Sequence, residues 1–118
     1  MSSKNHEWVH FGQAFEYFLE RGKRLSGMTI ASITRKTGLD RSTVYNWRNQ
    51  EYLPGDVESL LNVANAMLLP ISDTNILLDL AGYPLLERLE LEPRVTLSAE
   101  SKMFIREIAG RLESTQTD

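Results

Sequence analysis

The chain reads as an all-α protein, because apolar residues recur at three- and four-residue steps in successive segments and glycine or proline punctuates each one. No stretch alternates apolar and polar residues with period two, and no internal repeat is visible. Trp8, Phe11, Phe15, Phe18 and Leu19 mark a first amphipathic helix running to about Leu25, stopped by Ser26 and Gly27. A second, short helix follows with Thr29 as N-cap, Ile30, Ile33 and Thr34 facing inward, and Gly38 as its stop. Asp40 stands at the N-cap position of a third helix in which Val44 and Trp47 form the apolar pair.

Pro54 and Gly55 break the chain before Asp56, which caps a fourth helix carrying Val57, Leu60, Leu61, Ala64, Met67 and Leu68 on one face, closed by Pro70. Ser72 or Asp73 opens a fifth through Ile76, Leu77 and Leu80, ended by Gly82, Tyr83 and Pro84. Leu85 to Leu91 has room for one or two further turns. After Pro93, Ser98 caps a last helix bearing Phe104, Ile105, Ile108 and Leu112. Residues 113–118 form a polar tail.

Composition narrows the function. With 118 residues, 42% hydrophobic and 25% charged, the chain has the size and balance of a globular domain. Without cysteine it has no disulfide framework, thiolate metal site or thiol nucleophile. No apolar run approaches the ~20 residues of a membrane span, and residues 1–7 hold no apolar signal region, so a soluble, cytoplasmic protein without membrane contact is expected. His6 and His10 are four apart but have no carboxylate cluster at metal spacing, and no phosphate-binding glycine loop or nucleophile elbow occurs. The expectation is therefore no enzyme, no metal and no cofactor.

The net charge of −3 hides a sorted distribution. Arg21 to Gln50 holds seven basic side chains (Arg21, Lys23, Arg24, Arg35, Lys36, Arg41, Arg48) against Asp40 alone, a balance of +6. The other 88 residues carry six basic and fifteen acidic side chains, a balance of −9. A local excess of this size on an acidic chain is the footprint of a phosphate-binding face. A surface helix whose charges happen to cluster gives the same count.

Geometry sharpens the first reading. Two short helices joined by about four residues around a glycine, the second rich in donors, form the pattern of a DNA-binding helix-turn-helix. At 100° per residue Arg41, Tyr45, Asn49, Ser42 and Asn46 share an arc of about 140°, with Thr43, Val44 and Trp47 opposite. Arg can fork to guanine O6 and N7, Asn can bridge adenine N6 and N7, and Ser serves either a base edge or a phosphate. The pairing of Trp47 with Val44 assigns the indole to the core rather than to base stacking.

The run from Met28 to Asn49, with Gly38 at the turn, followed by Pro54 and the leucine-rich fourth helix, resembles the Xre/Cro-like, lambda-repressor-like helix-turn-helix family. The resemblance covers about residues 8–84, and Leu78 to Tyr83 is similar to the end of the family's fifth helix. It implies a five-helix DNA-binding domain over 1–84 with a C-terminal helical extension over 85–118. It also implies a sequence-specific regulator of transcription, a repressor by preference, reading double-stranded DNA with residues 41–49. Base-reading positions fall on Arg41, Ser42 and Asn46, and phosphate contacts near Thr29, Thr43 and Asn49. Tyr45, on the same arc, joins the positioning residues.

Three positions depart from the family pattern. Ile30 stands where a phosphate-contacting Gln often opens the second helix, and Gln50 where a Gly often follows the third. A basic residue of the first helix often pairs with a Glu late in the third, but the corresponding pair here is Lys23 and Arg48. Like charges cannot bridge, so Arg48 is expected to swing outward as an added phosphate contact.

The same fold also serves antitoxins and adaptors that bind protein, and fold alone does not decide function. The acidic segment 85–118 would suit such a partner, whereas the outward Arg and Asn side chains favour DNA. A homodimer is expected, since two reading helices commonly span half-sites about 34 Å apart. Its contact is expected at Phe104, Ile105, Ile108 and Leu112, the alternative being packing of that stripe onto the first or fifth helix of the same chain.

Overall fold

The structure, a computed structural model, describes residues 8–111. Among them every regular element is a helix. The chain divides into two compact units, Met1–Leu53 and Pro54–Asp118. The expected division at 84/85 lies elsewhere, because the helices after Pro54 pack with the C-terminal helix.

The first unit holds α1 (Phe11–Ser26), α2 (Ile30–Thr37) and α3 (Arg41–Arg48). The first helix begins three residues after Trp8, whose ring instead lies 5.0 Å from that of Tyr17. Gly27 ends it at φ 74°, a left-handed conformation that glycine adopts without steric cost. Thr29 caps α2 as expected, in a reciprocal box: the Ser32 N–H donates to Thr29 Oγ1 and the Thr29 N–H donates to Ser32 Oγ, each at 3.0 Å. Asp40 occupies the N-cap position of α3 without a side-chain bond, so its carbonyl alone receives the Thr43 and Val44 N–H groups. Both α1 and α2 pack on α3. Trp47 is the hub, its ring meeting Phe11 and Phe15 edge-on at 6.2 and 6.1 Å.

The close approach of α1 and α3 needs Gly12. A Cβ there would stand 2.6 Å from the Arg48 carbonyl oxygen and closer still to Gln50 Cγ. Backbone cannot yield as a side chain can. Gly12→Ala should therefore destabilise the unit by about 1–3 kcal/mol, read by urea unfolding, despite alanine's better helix propensity. A more stable Gly12→Ala protein would mean that the two helices sit farther apart.

The second unit holds α4 (Val57–Ala66), α5 (Ile71–Leu80), α6 (Leu86–Leu89) and α7 (Ala99–Ala109). Asp56 caps α4 by accepting from the Ser59 N–H at 3.0 Å. Leu68 does not extend the apolar face of α4: it follows the helix at φ 61° and is exposed, while Leu69 turns into the core. Pro70 takes the N-cap position of α5, which starts at Ile71 rather than at Ser72 or Asp73. Asn75 joins α5 to α6, accepting from the Leu86 N–H at 2.7 Å and donating to Glu87 Oε1 at 3.0 Å.

In the last helix one residue of the expected dimer contact lies inside the chain. Ile108 is fully buried within the chain, Phe104 and Ile105 are half-buried, and Leu112 lies outside the described residues. The helix packs on α4 and, more lightly, on α5. Polar contacts fasten both ends of α7 to α4. Glu58 Oε2 accepts from the Ser98 N–H at 2.5 Å, which holds the Glu58 carboxyl below its ordinary range. At the other end Arg111 donates to the Leu69 carbonyl at 2.9 Å and to Asn65 Oδ1 at 2.8 Å, and Asn65 donates to Glu107 at 2.8 Å.

The reason lies in α4. Val63, about 110° away from the centre of the expected apolar face, is buried as completely as Leu60 and Leu61. A helix with so wide an apolar surface needs two covers, and α5 and α7 supply them.

Candidate functional site

The site is built on the first unit, where Val44 and Trp47 anchor the inner side of α3 and leave its other side outward. Arg41, Ser42, Tyr45 and Asn49 are exposed, as the helical arc requires. Asn46 and Thr43 are half-buried, and Thr29 is exposed with its hydroxyl engaged in the α2 cap. A continuous face of donors thus runs from Arg41 to Asn46.

Beside this face lies an open cleft of about 280 Å³ formed by the last turns of α1, the start of α2 and α3. Three cations line it, Lys23, Arg41 and Arg48, together with Glu16, Glu20, Thr29 and Tyr45. Leu19, Met28 and Ile30 supply its apolar part. Ile30 therefore does have a place in the site, as wall rather than as hydrogen-bonding clamp. Three cations against two carboxylates leave the cleft net positive. Arg21, by contrast, contributes to the +6 segment without facing this cleft: its guanidinium lies over the Phe18 and Tyr17 rings at 5.1 and 5.8 Å.

Arg48 departs from expectation. Rather than swinging free of Lys23, it meets Glu16 of α1, with Nε 3.5 Å from Glu16 Oε1, and its guanidinium lies 4.9 Å from the centroid of the Tyr45 ring. A first-to-third-helix ion pair exists after all, with its signs exchanged and its α1 member two turns earlier than Lys23. Both side chains are partly exposed, so the pair contributes at most about 1 kcal/mol. Its larger effect is orientation, since an arginine held at Nε and over a ring has few rotamers left.

Glu16, Glu20 and Tyr52 escaped sequence reasoning. Glu16 carried a signal, standing one turn from both Gly12 and Leu19 on the α1 surface that flanks α3, with charge opposite to Arg48. Tyr52 carried none, because it lies beyond α3 in a segment without periodicity. Its position follows from Gln50, which takes φ 65°, a left-handed conformation uncommon outside glycine. The Glu51 N–H then donates to the Asn46 carbonyl at 2.9 Å and the Gln50 N–H to the Trp47 carbonyl at 3.2 Å. That reversal carries Tyr52 back along α3, where its hydroxyl accepts from Asn46 Nδ2 at 2.9 Å.

Among the described residues, no three His, Cys, Asp or Glu gather as metal ligands, and no helix is long and apolar enough to cross a membrane. His6 lies outside the described residues. Comparison with protein-family models, with curated proteins and with solved structures returned no match for the chain.

Proposed function

We propose that the chain is a sequence-specific regulator of transcription that binds double-stranded DNA, a repressor of the Xre/Cro-like kind, with α3 in the major groove. One observation carries the reading: the outward face of α3 presents Arg41, Ser42 and Asn46 beside a cleft lined by Lys23, Arg41 and Arg48. Base edges are read by side-chain hydrogen-bonding groups, most specifically by forked and bidentate ones, and phosphates are held by cations together with hydroxyl and amide donors at the groove margin. In this reading Ser42 and Asn46 face base edges, and Arg41 reaches a guanine. Lys23, Arg48, Thr29, Thr43, Tyr45 and Asn49 position the backbone.

An eight-residue reading helix is only about 12 Å long, so the reading includes two copies on one duplex. Ile108 is buried within the chain, so in this reading their contact does not rest on that side chain.

The test is a duplex selected from a random pool and titrated by fluorescence anisotropy at several salt concentrations. Two to three phosphate contacts give a log–log slope of about −2 to −3, so a fourfold rise in salt weakens binding roughly 15- to 60-fold. Arg41→Ala should cost about 1–3 kcal/mol and alter the selected motif. Lys23→Ala should leave the motif intact and reduce the slope by about one. A folded protein that binds no duplex at low salt would overturn the reading in favour of a protein-interaction module.

A further inference from the structure

We propose that Tyr52 is a specificity-determining residue that positions the Asn46 amide for adenine; the proposal rests on the DNA-binding reading above and names a base for one of its contacts. The hydrogen bond runs from Asn46 Nδ2 to the Tyr52 phenolic oxygen at 2.9 Å. An amide nitrogen has two hydrogens, and this bond uses one of them. What remains is one N–H and the Oδ1 carbonyl side by side. That pair matches the N7 acceptor and N6 donor of an adenine in the major groove.

The alternative amide orientation would not serve. With Oδ1 against the phenol, the outer N–H and Oδ1 lone pair would stand in the reverse order, acceptor toward N7 and donor toward N6, which the adenine edge does not match. A free asparagine samples both orientations, since its terminal torsion is broad and roughly two-fold. The bond from Nδ2 to the Tyr52 hydroxyl ties the amide down in the first of them before any base arrives.

The residue is built into place rather than left to chance. The left-handed Gln50 reverses the chain, and the Glu51 N–H locks that reversal onto the carbonyl of Asn46 itself. The same asparagine is thereby held at its backbone by the turn and at its side chain by the residue that the turn delivers. Tyr52 is about half exposed, so its hydroxyl lies at the surface beside the donor face rather than inside the core. Accepting from Asn46 also leaves the phenolic hydrogen free to donate.

Pool selection and competition titrations on the full chain test this with Tyr52→Phe, Asn46→Ala and the double variant. The parent should select an adenine at one position, and Asn46→Ala should lose that preference. Tyr52→Phe, which keeps the ring, should lower the preference for adenine at that position about 2- to 10-fold through lost preorganisation. Its salt slope and thermal midpoint should stay at the parent's values, and adding it to Asn46→Ala should change nothing further. An unchanged adenine preference in Tyr52→Phe, the same loss in the Asn46→Ala background, or a parent motif without adenine would overturn the assignment while leaving DNA binding intact. A parent that binds no duplex would overturn the DNA reading and this assignment with it.

Discussion

Trp47→Ala should unfold the first unit at a temperature where the parent is fully folded, with a loss of about 3–5 kcal/mol. The indole is 2% exposed and holds the edges of Phe11 and Phe15, so its removal leaves a cavity at the junction of α1 and α3. Small domains are stable by only about 5–15 kcal/mol, and such a loss consumes a large share. Circular dichroism melts on the parent and variant measure it. On the proposed function, DNA binding should fail together with folding and return on cooling below the lowered midpoint. Lost binding with an unchanged midpoint would instead put the indole against a base, contrary to its burial.

Ile108→Ala should cost about 2–5 kcal/mol, independent of protein concentration. The side chain is fully buried, and α7 is fastened onto α4 at Ser98 and at Arg111 within the same chain. A helix that served mainly as a dimer arm would behave otherwise: its loss would grow as the protein is diluted, since association contributes to apparent stability by mass action. Denaturant unfolding at two protein concentrations a hundredfold apart separates the cases. Sedimentation of Ile108→Ala should match that of the parent, and a shift from dimer to monomer would restore the stripe as an interface.

Much of this protein is legible without coordinates because its signals are local. Thr29, Asp56 and Ser98 cap their helices because a short side-chain oxygen reaches the N–H three residues on, whatever else surrounds it. Gly27, Gly38 and Gly82 end helices at positive φ for an equally local reason. The outward arc of α3 is a consequence of helical pitch once Val44 and Trp47 face inward. Each of these depends on neighbours within a turn or two.

Other features depended on which surfaces met. The stripe on α7 looks the same in sequence whether it covers its own chain or another copy; the breadth of the apolar surface on α4, shown by buried Val63, drew Ile108 into its own chain. Arg48 faced a like charge in Lys23 on paper, but the approach of α1 and α3 at Gly12 brought Glu16 to it instead. Tyr52 reached Asn46 only because a non-glycine residue took a left-handed turn that no periodicity announces. Sequence by itself determined the helices, their caps and the donor face, since those follow from backbone geometry and short-range hydrogen bonds. Tertiary structure decided the partners of α7, Arg48 and Asn46, since burial and pairing are properties of two surfaces, and a sequence lists them one at a time.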